Sequence, residues 1–488
     1  MELDFSLPAP QAKTLEEAQE IINVLWSVLG ELSKRVEAQS KRIEELEERL
    51  RTNSKNSSKP ASADGIGRKK KDKRKKSKSG RKAGGQAGHE GKGRELLPPE
   101  ETDRVEMCYP PEQCECGHEV ERGGLYRRHQ VHELPEVKPV VTEYRLITGT
   151  CVECGKVHMA SLPAGVSNCF LGPRAVALVG TLTGAYRLSK RLVQELLHDV
   201  CGLKLSVGAI SQTEELVSCA LECVAEEAKT YVREAPIVHC DETGHKEKGE
   251  KQWMWIAIAG LVCVFLARTS RGAVVAKELL GEAFAGFLIS DRWSAYNWID
   301  VARRQLCWAH LIRDFTKISE RSGKAGQLGD HLLHLTEKKM FRYWHSVKDG
   351  TLSRALFVKR MQSIRADVER TLAEGRVCGE SKTQNTCKKL LAVKAGLWTF
   401  IDHEGIEPTN NLGEQMIRHY VIWRKICFGA QSERGSLYIE RVMTVVGSCR
   451  LQRRNILDFM TQAVDAFMGK GTIPSLLPIQ PLPFQTAM

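Results

Sequence analysis

The chain has 488 residues, 42% of them apolar, and a formal net charge of +12, room for two to four domains with proper cores. The start Met1–Glu2–Leu3–Asp4 is acidic and unlike a signal peptide, and the longest apolar stretch, Ile256 to Ala267, is twelve residues, against the roughly 20 that span a bilayer. Sixteen cysteines, some in close pairs, speak for zinc or buried thiols over a secreted disulfide scaffold, and a soluble, cytoplasmic chain without membrane contact is expected.

Residues 14–52 predict one long helix. Ala18, Ile22, Leu25, Leu29, Leu32, Val36, Gln39, Ile43, Leu46 and Leu50 alternate spacings of four and three, a heptad seam with Gln39 as its polar intruder. The narrow stripe between charged flanks predicts a coiled coil that joins copies of the chain, against the plainer reading of a helix packed on its own domain. Residues 53–100 have no apolar period and are rich in Ser, Lys and Gly, which predicts a disordered linker. Within it, eleven of the fifteen residues from Arg68 to Lys82 are Lys or Arg, including Lys69, Lys70, Lys71, Lys73, Arg74, Lys75 and Lys76. Such a run suits salt-sensitive contact with DNA phosphates; a solvated tail is the alternative.

Residues 101–165 carry Cys114–Glu115–Cys116–Gly117 and, after a strand-like stretch, Cys151–Val152–Glu153–Cys154–Gly155. Two cysteine knuckles can give Cys114, Cys116, Cys151 and Cys154 to one structural zinc, with the glycines suited to the turns. The first pair has one intervening residue rather than two, so Cys108 or His118 are substitute ligands, and buried thiols are the other reading. Residues 170–232 read as helices, opened by Pro173, Ser189 and Ser206, with a short turn at Cys201–Leu205 that resembles a helix-turn-helix for DNA. Plain helical packing is the alternative.

From Pro236 the pattern turns to strands. Ile237–Asp241, Gln252–Ala259, Val262–Ala267, Gly286–Asp291 after a helix at Ala273–Leu280, and Arg304–His310 read as five strands. Three consecutive strands, a helix, and two more strands is the order of the ribonuclease H-like α/β fold. Its first part is expected over 236–312, a helical insertion over 313–400, a second part over 405–470, and a disordered tail over 471–488. Asp241 and Asp291 end adjacent strands, and Glu414 lies on a helix beginning near Asn410, with Asn411 as its cap. Three converging carboxylates suit two Mg²⁺ ions in an in-line phosphodiester displacement. Asp291 as a turn cap, Glu414 as a surface glutamate, and Glu407, Glu433 or Glu440 as the third acid remain alternatives. Arg418, Arg424 and Lys425 follow Glu414, the last two in a loop-rich segment with Arg434, and suit DNA phosphates. Cys307 and His310 are two ligands, too few for a zinc site alone, and are read as packing or positioning groups.

Several motifs in one order resemble the insertion sequence 66 family of transposases. They are Asn56 to Gly65, Gly84 to Gly91, His239–Asp241–Glu242–Thr243, Ser290–Asp291, and Cys307–Trp308–Ala309–His310. Asn410–Asn411 with Glu414 and Arg418, Trp423–Arg424–Lys425, and Gly429 with Ser432–Glu433–Arg434–Gly435 complete the set. The departures are Ala61 and Ala87, where prolines are usual, and the narrowed Cys114–Cys116 pair. The resemblance implies a DDE transposase with Asp241, Asp291 and Glu414 as catalytic triad, two Mg²⁺, terminal-repeat and target DNA as partners, and accessory proteins of the same element. The competing functions are a catalytically silent DNA-binding regulator and a metal-dependent nuclease without strand transfer.

Overall fold

The computed structural model describes residues 11–53, 56–57, 95–164, 166 and 168–478. The basic run and most of the linker lie outside the described residues. The chain divides into two units, one of Met1–Ile66, Tyr144–Val193 and Ser206–Met488, the other of Gly67–Glu143 and Gln194–Leu205.

In the larger unit, β1 (Ile237–Glu247), β2 (Glu250–Ala259), β3 (Val262–Arg268), β4 (Phe287–Ser290) and β5 (Arg304–Leu306) form one sheet in the order β3-β2-β1-β4-β5. The first three pair antiparallel, while β4 and β5 run parallel to β1. β1 is longer than the expected Ile237–Asp241, because its hairpin with β2 carries pairing to Glu247↔Glu250 after β4 has stopped. Lys248 and Gly249, with φ of 51° and 85°, supply the two left-handed residues that such a tight hairpin needs. β5 is shorter than the expected Arg304–His310. It ends at Leu306, and Cys307 stands at the N-cap of a helix.

Four helices frame the sheet: α1 (Ala273–Leu280), α2 (Trp308–Ser319), α3 (Asn411–Cys427) and α4 (Glu433–Leu451). α4 packs on β3, the edge strand, and α3 on β1 and β2. The N–H groups of Cys263, Phe265 and Ala267 donate to Ser448 Oγ at 3.0 Å, Thr444 Oγ1 at 3.0 Å and Glu440 Oε1 at 2.9 Å. Steps of four on a helix rise about 6 Å and steps of two on a strand about 6.6 Å, so one helix face meets the free N–H row in register. The contact is close because residue 447 is glycine; a Cβ there would sit 2.3 Å from Cys263 Sγ. An exposed edge that would template aggregation is thereby closed. With helices on both sides, β3 can be apolar throughout.

Between the expected bounds 313–400 the chain is mostly helical, with helices from Gly323 to Asp402 after α2. Their buried side chains join Ile289 of β4 and Leu306 of β5 in one cluster with Trp308, Phe357, Trp398 and Phe400. Arg424 and Lys425 lie on α3, which runs on to Cys427 before Phe428 turns left-handed (φ 63°); the expected loop is a helix. Arg434 is in the first turn of α4. Within the described part of the tail, Leu476 is buried and Gln452 Nε2 donates to its carbonyl at 2.6 Å; residues 479–488 lie outside the described residues.

Pro173–Gly180, Lys190–Cys201, Val207–Ala220 and Glu222–Glu234 are helices, with a π-helical turn at Thr181–Ala185. Ser206 caps its helix by accepting from Ala209 N at 3.0 Å, as expected. The N-terminal helix spans Leu15–Arg51, and Ile22, Leu25, Leu29, Leu32, Val36, Ile43, Leu46 and Leu50 of its seam are all exposed. Residues 120–147 carry no strand pairing, so the strand-like stretch between the knuckles is not a strand; Thr148–Thr150 and Val157–Met159 pair, and Gln113 and Glu119 form an isolated bridge.

Candidate active site

β1 and β4 pair in register up to His239↔Ile289. Asp241 and Asp291 each lie two residues further along, where β4 has ended and β1 continues into its hairpin with β2, at the kind of rim where ligands of parallel strands gather. Asp241 Oδ1 accepts from Glu242 N at 2.9 Å and Asp291 Oδ1 from Trp293 N at 2.8 Å. The turn-capping role considered for Asp291 is thus real, and leaves its second oxygen for other work. Burial, then the charges of Glu242, Asp291 and Glu414, push the Asp241 carboxyl well above the usual carboxylate range. Burial first, and then the three like charges, favour its neutral form over the ionised one.

Glu414 is in the first turn of α3. His310 Nδ1 lies 3.5 Å from its Oε1 and Arg313 Nη2 3.5 Å from its Oε2. Both Glu414 Oε1 and His310 Nδ1 are buried without a hydrogen-bond partner among the described residues. Cys307 Sγ completes a group with them, the ligand atoms all within 4.8 Å of one another, which could hold a metal ion. Sequence spacing counted two ligands here; the third, Glu414, lies more than a hundred residues on. Asp241, Asp291 and Glu414 do not form such a close set; among the described residues, that of Cys307, His310 and Glu414 does.

Asn410 ties the two halves of the site together. Its Nδ2 donates to Cys240 O at 2.7 Å, its Oδ1 meets His239 Nδ1 at 3.0 Å, and its N–H donates to Cys307 Sγ at 3.1 Å. It therefore stands at the N-cap of α3 with its side chain committed to β1 rather than to capping, and Asn411 is the first helical residue rather than the cap. Gly413 makes room, since a Cβ there would lie 2.7 Å from the Asn410 amide. Sequence reading missed this asparagine's role, although its motif was noted.

Glu242 is a fourth acid at this rim. It accepts from Arg271 Nη2 at 2.6 Å and Tyr296 Oη at 2.8 Å, and Arg271 is stacked over the rings of Trp253 and Trp293. Two of the rival third acids are engaged elsewhere, Glu440 with β3 and Arg268 and Glu407 with Lys348 at 2.5 Å, while Glu433 lies in the first turn of α4. Arg418 is exposed, and Arg424 Nη1 donates to Thr243 Oγ1 at 3.4 Å, two residues from Asp241. Lys425 is exposed. The lysines and arginine of the basic run lie outside the described residues.

Each cysteine knuckle forms its expected turn. Gly117 N donates to Cys114 O at 2.8 Å and Gly155 N to Cys151 O at 3.0 Å, with φ of 87° and 70° at the two glycines. The backbone N–H of Cys116 lowers the Cys114 thiol pKa, and that of Cys154 lowers the Cys151 thiol pKa, the donor arrangement that favours thiolate ligands. His118 Nδ1 lies 3.6 Å from Cys116 Sγ.

These features define a mixed α/β protein with acids gathered at one rim of a central sheet. A family model described as "Transposase IS66 family" matches residues 169–437, and "Family of unknown function (DUF6444)" matches residues 7–95. The chain belongs to the IS66 transposase family. It is 27% identical over 303 residues to uncharacterized protein y4qI of Sinorhizobium fredii (strain NBRC 101917 / NGR234), covering 56% of this chain and 55% of that protein. Uncharacterized protein y4hP of the same strain is 22% identical over 389 residues, 72% of this chain and 69% of its own length. The chain spans about half the length of the first of these relatives. No helix among the described residues is long and apolar enough to cross a membrane.

Proposed function

We propose that this chain is a DDE transposase that cuts DNA at the ends of an insertion sequence and joins those ends to target DNA, with Asp241, Asp291 and Glu414 as its metal-binding acids. The observation that carries the reading is that Asp241 and Asp291 occupy matching positions just beyond the parallel pairing of β1 and β4, under the charge of Glu414. The strand order β3-β2-β1-β4-β5 supports a ribonuclease H-like core.

The donor set fits a hard divalent cation: carboxylates crowd together, and Glu414 Oε1 is buried without a hydrogen-bond partner among the described residues. Two bound Mg²⁺ would activate the attacking oxygen and stabilise the leaving one. Asp241 and Asp291 present oxygens from a fixed sheet rim, with one oxygen of each held by a backbone N–H. His310 and Arg313 orient Glu414, and Asn410 locks α3 against β1 so that the third acid keeps its place. Arg424 at Thr243 is placed to meet a phosphate beside the acids.

The knuckles Cys114/Cys116 and Cys151/Cys154 are proposed as thiolate pairs for structural zinc, and the exposed seam of Leu15–Arg51 as a coiled coil with further copies of the chain. The basic run and the turn at Cys201–Leu205 are proposed DNA contacts, and the reaction is placed in the cytoplasm with accessory proteins of the same element.

A strand-transfer assay with labelled end DNA and Mg²⁺ tests the site. Asp241→Asn and Glu414→Gln are expected to abolish joining; joining at the wild-type rate by either would sink the assignment.

A further inference from the structure

Arg187, His419 and Arg450 form a cationic cluster that the acidic site does not use. Arg187 Nη2 and Arg450 Nη1 each lie 3.0 Å from the same atom, His419 Nδ1. One imidazole lone pair cannot serve two guanidinium donors well. Arg187 Nε is buried and has no partner among the described residues. The charged groups that bear on His419 are the two arginines, and those that bear on Arg450 are Arg187 and Tyr186; no carboxylate stands in either set. Burial, then Arg450 and Arg187, hold the His419 imidazole down to about 4, so it is neutral and the cluster keeps two positive charges.

The fold builds this uncompensated pair. The π-helical turn Thr181–Ala185 sits against α4 at a glycine, where a Cβ on Gly184 would lie 2.0 Å from Val442 Cγ1, and Thr183 Oγ1 meets Tyr438 Oη at 2.5 Å. Arg187 follows with a left-handed φ of 63°, and Arg450 Nη2 donates to Ala185 O at 3.0 Å. Left-handed backbone at a non-glycine residue and like charges at close range both cost free energy. All three side chains are half-buried and still reach solvent.

We propose that Arg187, Arg450 and His419 form a binding site for a single phosphate group, filled by a phosphodiester of bound DNA. Two guanidinium forks give paired, directional donors matched to phosphate oxygens. The choice of DNA over free phosphate rests on the transposase reading.

The test uses the full chain, a labelled duplex and a salt series without added divalent cation. Arg187→Gln and Arg450→Gln should each bind about tenfold more weakly, and log K against log salt should become shallower by about 1. His419→Glu would place a carboxylate between the two guanidinia; it should lose the same affinity while raising the thermal midpoint, a pair of effects that misfolding cannot give. Variants with wild-type affinity and salt slope would overturn the proposal. So would stabilisation by inorganic phosphate that His419→Glu removes while DNA binding stays intact, which would assign the cluster to free phosphate. A wild-type chain that binds no DNA would defeat the transposase reading, and the phosphate titration would then decide the cluster alone.

Discussion

Asp241, half-buried, and Glu440, buried, are both carboxylates at this sheet, and their surroundings separate their roles. Asp241 faces Glu242, Asp291 and Glu414, an arrangement that is unfavourable until a cation arrives. Glu440 accepts from Ala267 N and Arg268 Nη1, so its oxygens serve the fold. Burial nevertheless pushes Glu440 up to about 7, above the usual value of about 4.3 for an unfolded chain. A folded pKa above the unfolded one means that its share of stability is full below about 4.3 and is lost as pH rises through about 7. Wild-type thermal midpoints should therefore fall between about pH 5 and pH 8, and Glu440→Gln should flatten that fall; equal slopes in thermal scans would contradict it. His310→Ala should slow strand transfer by about 10–100-fold with little change in midpoint, because Glu414 loses a neighbour that orients it; single-turnover rates would show this. The nearness of Asp241 and Asp291 at the sheet was foreseeable because each acid follows an apolar run. The function of Asn410 was hidden because its partners His239 and Cys240 lie about 170 residues earlier and leave no local period.

The elements were largely readable from apolar spacing, and their ends were not. β1 outran its expected end because a tight hairpin, rather than the carboxylate, stops it. α3 absorbed the basic residues expected in a loop, since no glycine or proline stands between Gly413 and Gly429. The match between Glu440, Thr444 and Ser448 and alternate residues of β3 cannot be found by reading either element alone. Two glycines mark where elements touch. Gly413→Ala should push Asn410 off β1 and reduce joining by about tenfold or more at a stability cost of roughly 1–3 kcal/mol. Gly447→Ala should cost a similar roughly 1–3 kcal/mol by prising α4 from the edge of β3, with soluble aggregates appearing on heating. Denaturant melts and light scattering check both.

For the whole molecule, the coiled coil and the knuckles are the features to weigh. Removal of residues 1–52 should lower the mass in light scattering, and an unchanged mass would place assembly elsewhere. Purified protein should carry about one zinc per chain, lost in Cys151→Ser with Cys154→Ser; metal analysis that finds none removes the assignment. The family was legible from ordered motifs, whereas the extent of the helical insertion as a separate domain was misleading. Its cluster is continuous with Ile289 and Leu306, so the helices between the second and third acids wall one side of the sheet. That continuity has a temporal consequence. At ribosomal speeds of about 5–20 residues per second, Glu414 emerges roughly 6–25 s after Asp291, and until then β4 and β5 have no completed wall behind them. Nascent or prematurely terminated chains would carry the two aspartates yet lack both the third acid and the packing that holds it. On the proposed assignment, a chain that stops before Glu414 would lack strand-transfer activity.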